Sequence, residues 1–254
     1  MAIKSAGPPS VITGVIVHSS AQSRGAIFRV VATSEIQEQI MAKVVVFGIT
    51  GYAGGHIGAE LAARGHQVTG VARKLSTLPD GIAGEAGSIH DADFVRRVTE
   101  GADHIVVALR FGPQADEPQL IEALPSLIET AVARGARLGF VGGAGSLQVA
   151  EGGPDLVDTP SFPEAYKGEA LAARDALVAL RASDSALDWF YVSPAAAFGG
   201  YNPGEKTGEF RVGGDVLLTD AKGDSYISGA DFAIAFVDEI ESGAHRRARF
   251  TVAY

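Results

Sequence analysis

The chain predicts an α/β fold, a doubly wound parallel sheet with helices on both faces and a small irregular insertion toward its C-terminal end. Three observations carry that expectation. From Lys43 onward, short apolar runs alternate with longer helix-like segments, the order that makes parallel strands joined by crossover helices. The apolar runs are continuous rather than alternating, as strands buried on both faces require. The first run, at 43–48, opens directly into a series of glycines.

The elements follow in order. KVVVFG (43–48) is a buried strand, and residues 55–64 form a helix stopped at Gly65. HQVTGVA (66–72) is the second strand, and a weak, glycine-rich third lies at 82–88. Asp91 is placed to cap a helix over 92–100. HIVVAL (104–109) is the fourth strand, followed by a helix over 118–134 in which Pro125 should produce a kink. RLGFVGG (137–143), a long helix at 163–181, LDWFYV (187–192), a helix at 229–242 and a last strand at 249–253 complete the pattern. Residues 193–228 break the alternation and are rich in glycine, so they are expected to cap the substrate side of the sheet. Residues 41–254 thus form one domain. The first 40 residues stand apart as an extension of unknown role, with β-prone runs at 11–17 and 26–32 and a helical turn at 34–41. Lys4 and VITGVIV imitate a secretory signal, but Pro8, Pro9 and His18 interrupt it. Met41 is a candidate internal start.

Composition narrows the function. At 254 residues, 46% hydrophobic and 20% charged, the chain has the make-up of a globular protein rather than a disordered or coiled-coil one. It has no cysteine, which removes disulfides, thiolate metal sites and cysteine nucleophiles, and suits a cytoplasmic location. A net charge of −9 argues against a nucleic-acid partner, since such proteins present a dense basic face. No apolar run approaches the length of a membrane span. The six histidines are scattered without ligand spacing, so no metal is expected, and no G-x-S-x-G elbow supports a hydrolase.

The informative stretch is KVVVFGITGYAGGHIG (43–58). Gly48 lets the strand turn tightly, Gly51 lets the main chain reach a diphosphate with no Cβ in the way, and Gly54 permits close packing of helix on strand. Free N–H groups and the positive end of the helix then hold the anion. A glycine series between the first strand and first helix therefore points to a bound dinucleotide, with Thr50, Tyr52 and Ala53 as further contacts. After the second strand, Val71-Ala72 leads into Arg73-Lys74 where an NAD-selective protein would place a carboxylate. Two cations suit a 2′-phosphate, so NADP(H) is expected over NAD(H).

The Gly-x-x-Gly-x-x-Gly spacing resembles that of extended and atypical short-chain dehydrogenases/reductases. Together with FVGGAGSL, WFYVSPAAAF and ISGADFAIAFVDEIE, residues 42–254 resemble the NAD(P)H-binding, NmrA-like branch of that family, which includes flavin-reductase-like and biliverdin-reductase-B-like members. The resemblance implies a Rossmann fold with the cofactor lying across the carboxyl ends of the strands. Candidate contacts there are Ser88 and Ile89, Ala108, Leu109 and Arg110, Gly142 and Pro194. Where the family has Gly-Asp after the third strand, this chain has Gly87-Ser88, which loosens adenine recognition.

Catalytic residues are harder to assign. Reductases of this superfamily place Tyr and Lys at i and i+4 on one helix face. Here Tyr166 is followed at i+4 by Ala170, and Lys167 lies about 100° round the helix. Tyr166 and Lys167 remain candidates, as does Ser146, in the neighbourhood where the superfamily keeps a carbonyl-polarising serine. Arg110 could hold a phosphate or a substrate carboxylate, or pair with Asp116 or Glu117 on the surface. In the insertion, Phe198, Tyr201 and Phe210 with Lys206 and Arg211 could line a pocket for a flat molecule. The leading expectation is an NADPH-dependent oxidoreductase passing a hydride to a small flat or carbonyl-bearing acceptor such as a flavin or quinone. A redox sensor that holds NADP(H) without turnover, and an NAD(P)-dependent epimerase or dehydratase, are the alternatives.

Overall fold

A computed structural model describes residues 41–75, 77–112 and 118–254. The two β-prone runs and the helical turn expected before Met41, and the partners Asp116 and Glu117 weighed for Arg110, lie outside the described residues. The sheet has eight strands in the order β3-β2-β1-β4-β5-β6-β8-β7. In chain order these are β1 (Lys43–Phe47), β2 (Gln67–Ala72), β3 (Ile82–Ala86), β4 (His104–Val107), β5 (Arg137–Val141), β6 (Trp189–Ser193), β7 (Arg211–Gly213) and β8 (Ala248–Ala253). All neighbours pair in parallel except β7, which runs antiparallel to β8 at the edge.

Helices cover both faces. Against one face pack α2 (Ala92–Val98), α3 (Leu120–Arg134) and α4 (Glu164–Arg181), whose Phe94, Leu124 and Leu177 meet Val45, Ile105 and Leu138 of the strands. Against the other pack α1 (Tyr52–Ala63) and α5 (Gly229–Ser242), whose Ile57, Leu61, Phe232 and Phe236 meet Val44, Val46 and Phe190. Adjacent strand residues therefore enter opposite cores, which is why the central strands read as unbroken apolar runs. Trp189, Phe190 and Tyr191 of β6 are fully buried.

Most elements fall where the sequence places them, and the α1 start and strand β7 are the two main differences. Helix α1 begins at Tyr52 rather than 55, because Gly54 and Gly55 are poor helix formers in isolation yet are held by packing and by the Gly55 N–H to Gly51 carbonyl bond at 2.8 Å. Helix α3 runs from Leu120 to Arg134 with Pro125 inside it. Strand β7, three residues inside the irregular segment, has too little local signal to be read from sequence and exists through its pairing with β8.

The segment between β6 and α5 is tied down by its own contacts. Asp231, fully buried in the first turn of α5, accepts hydrogen bonds from Thr207 N (2.9 Å) and Oγ1 (2.7 Å), Gly208 N (2.8 Å) and the Tyr254 hydroxyl (2.5 Å). Burial pushes this carboxyl up, but the bonds from Tyr254, Thr207 and Gly208 outweigh it and hold the group below the usual carboxylate range. Arg249 on β8 is likewise buried and binds Asp215 through Nε at 2.6 Å, fixing the chain just beyond β7.

Candidate functional site

The sheet order reverses between β1 and β4, and an open α/β sheet has its crevice where such a reversal occurs. Gly48 closes β1 there with φ of +91°, and its N–H reaches Val71 O at 2.9 Å. A Cβ at Gly48 would lie 2.2 Å from the carbonyl oxygen of Ala108, at the end of β4. A Cβ at Gly54 would lie 2.1 Å from the Gly48 carbonyl oxygen. The turn and the first helical turn are thus stacked main chain on main chain, with no room for a side chain. Gly51 is the N-cap of α1, and no side chain caps the helix or supplies an acid in its first turn. Its free N–H groups and positive end stay available to an anion. That cradle fits a diphosphate.

Around the hinge runs a cleft lined by Gly48, Thr50, Gly51, Arg73, Ser88 and Ile89, with His90, Ala108, Leu109 and Arg110 closing its far side. Thr50, Ala72, Arg73 and Lys74 border an adjoining hollow, and both cations are exposed there. Ser88 turns its hydroxyl back to accept from His90 N at 3.2 Å. Tyr52 faces elsewhere: its hydroxyl accepts from Gly229 N at 2.9 Å and donates to Pro203 O, and its ring meets His56 and Phe198 edge-on. Ala53 is half-buried against the core on the α1 side, and Pro194 is buried just after β6.

A second cleft, of about 600 Å³, opens beyond the ends of β4, β5 and β6. Its floor is the glycine turn Gly142-Gly143-Ala144-Gly145, and its walls carry Phe111, Phe162, Tyr166, Phe198 and Tyr201. Tyr191 supports the floor from below, accepting from Gly143 N at 3.3 Å and donating to Ala173 O at 3.1 Å. A Cβ at Gly142 would fall 1.9 Å from its ring, so the floor lies flat on the core. Burial drives the Tyr191 phenol above its ordinary pKa, which keeps it a neutral hydrogen-bonding strut.

The three candidate catalytic residues are separated. Tyr166 lines the second cleft, exposed. Lys167 turns away to Glu164 at 3.7 Å. Ser146 is buried outside the lining of both clefts, with its Oγ 3.5 Å from Arg249 Nη1. Of the insertion residues, Phe198 and Tyr201 reach the cleft, whereas Lys206 pairs with Glu60, Arg211 bonds Thr219 O and Phe210 packs on the core.

Glu169 is the residue that sequence reasoning missed. Its carboxylate accepts from Phe111 N at 2.7 Å and Gly112 N at 2.9 Å, and lies 3.4 Å from Arg110 Nε. It therefore clamps the turn after β4 to α4. Arg110 on that turn lines the first cleft and Phe111 the second, so the clamp sits where the two meet. The available signal was an acid three residues after Tyr166, hence on the same helical face.

Fold and site together define a dinucleotide-binding α/β protein with an apolar cleft beside the cofactor crevice. Comparison with known proteins agrees. A family profile described as NAD(P)H-binding matches residues 48–242. The chain is 38% identical to the Bacillus subtilis protein YwnB over 216 residues, covering 83% of this chain and 97% of that one. It is 41% identical to a solved structure of a proposed exported protein from Burkholderia pseudomallei, covering 84% of this chain and all of that one, with a TM-score of 0.73. It is 34% identical to a proposed NADH-flavin reductase from Streptococcus pneumoniae, covering 84% and 99%, with a TM-score of 0.71. The chain belongs to the NAD(P)H-binding family and has a Rossmann-like fold. Among the described residues no helix is long and apolar enough to cross a membrane.

Proposed function

We propose that this protein is an NADPH-dependent oxidoreductase that passes a hydride to a small, flat acceptor of the flavin or quinone kind. The observation that carries the reading is the junction at 108–112, where a cleft built around the glycine hinge meets one walled by aromatic rings. The similarity to a proposed NADH-flavin reductase supports it. Bound NADPH supplies the hydride; the chain's own residues bind, orient and exclude water. The hinge and the start of α1 would hold the diphosphate, with Arg73 and Lys74 taking the 2′-phosphate. The flat floor at 142–145 would carry the nicotinamide end, and Tyr166 would face the acceptor. With no Tyr-x-x-x-Lys pair on α4, and Lys167 engaged by Glu164, the proton that accompanies reduction would come from solvent or from Tyr166. Residues 193–228 supply the outer wall of the acceptor cleft. The absence of cysteine suits a cytoplasmic enzyme.

Disappearance of reduced-nicotinamide absorbance on adding a flavin or quinone tests the reading. Tight NADPH binding with no oxidation across flavins, quinones and simple carbonyls would favour the sensor reading instead, which the position of Lys167 supports.

A further inference from the structure

The charges of the two clefts are sorted, and the sorting bears on the acceptor; the inference rests on the reading just given. The cations stand on the cofactor side, where Arg73, Lys74 and Arg110 line the crevice and its neighbouring hollow. The only charged side chains among the described residues lining the second cleft are the carboxylates Glu169 and Asp224. Arg110, on the turn between the two clefts, stands 3.4 Å from Glu169 Oε2, so its charge is already matched. Asp224 is exposed, with its main chain fixed by its N–H to Asp220 Oδ1 at 2.9 Å. A phosphate is held best by cationic donors, and none of the lining side chains is a cation.

We propose that the second cleft takes planar acceptors without a phosphate or other anionic group, so that it prefers riboflavin to FMN and a plain quinone to its sulfonate. The isoalloxazine or quinone ring lies among Phe111, Phe162, Tyr166 and Tyr201, where stacking serves every planar ring alike. A dianionic tail reaching the mouth meets Asp224, a repulsion worth on the order of tenfold in affinity after salt screening. In the reaction the acceptor gains the hydride from NADPH and one proton from solvent, leaving the dihydro-acceptor and NADP+.

Riboflavin and FMN share one ring system and differ by the phosphate, so quenching of flavin fluorescence by the NADP+-loaded protein isolates that group. Riboflavin is expected to bind roughly tenfold tighter than FMN, with Asp224→Lys closing most of the gap and Asp224→Asn part of it. Equal or tighter binding of FMN by the unaltered protein overturns the proposal, and so does failure to bind either flavin. A riboflavin preference that survives both substitutions overturns the role of Asp224. NADPH oxidation is read separately. Riboflavin bound selectively without oxidation supports the charge preference while sinking hydride transfer; oxidation equally fast with both flavins sinks the preference alone.

Discussion

The hinge at 48–54 and the cleft beyond it are built from different material. At the hinge, main chain touches main chain: Gly48 lies on Ala108 and Gly54 on Gly48, at distances no Cβ tolerates. In the second cleft, side chains from the turn after β4, from α4 and from the insertion converge on a floor that rests on Tyr191. A site made of backbone demands particular residues at particular spacings. A site made of side chains from distant segments demands only that something of suitable shape arrive. The first should therefore be brittle to substitution and the second tolerant.

The largest effect is expected at the hinge. Gly54→Ala should raise the Kd for NADPH more than about a hundredfold and lower the Tm. Alanine would otherwise favour a helix by about 1 kcal/mol, so a loss shows that the clash at 2.1 Å decides the sign. Cofactor binding by fluorescence and a thermal melt check both parts. An unchanged Kd would remove the hinge from the site.

Next comes Asp231, which holds the insertion rather than the cofactor. Asp231→Ala should cost about 2 kcal/mol in urea unfolding, because it removes the carboxylate that Thr207, Gly208 and Tyr254 all donate to and so unties the insertion from α5. Its folded pKa is depressed, so its contribution is fully present above the ordinary carboxylate value near 4 and lost as pH falls through the lower folded value. The gap in stability between native and Asp231→Asn proteins should accordingly narrow below about pH 4; a gap that widens there would contradict the assignment.

Glu169→Ala should release the turn after β4 and lower kcat/KM for the acceptor about tenfold, roughly 1.4 kcal/mol, with a smaller change in NADPH affinity. Glu169→Gln keeps one acceptor oxygen and should recover part of the loss. Equal damage to both substrates from Ala and Gln would mean that α4 itself had moved. Arg73→Ala is expected to weaken NADPH severalfold while leaving NADH nearly untouched, and parallel titrations at two salt concentrations read this directly. The smallest effects belong to the tolerant region. Tyr166→Phe should change turnover by less than about threefold if solvent supplies the proton, and a hundredfold loss would make that phenol the donor.

The same contrast explains what could be read in advance. Strands buried on both faces reveal themselves as unbroken apolar runs, and the glycine spacing at 48–54 carries its own mechanism. Strand β7 was hidden because it depends on β8, far along the chain, and the start of α1 at Tyr52 because two glycines of low helix propensity are held helical there by packing of Gly54 on the Gly48 carbonyl. Tyr52 was expected at the cofactor on its place in the glycine motif, but its hydroxyl reaches Gly229 and Pro203 some 150 residues or more away. Ser146, Tyr166 and Lys167 are separate candidates by analogy of position, and the structure sends each to a different neighbour: Arg249, open cleft and Glu164.

What the sequence determined by itself was the layered α/β plan and the glycine turn at its centre, because periodicity and a steric prohibition on Cβ atoms are local properties of the chain. Which side chains share the acceptor cleft, that Glu169 joins the two clefts, and that cations gather on one side with carboxylates on the other were decided only by tertiary structure. Those relations depend on crossings between segments tens of residues apart, and the order of residues along the chain does not record them.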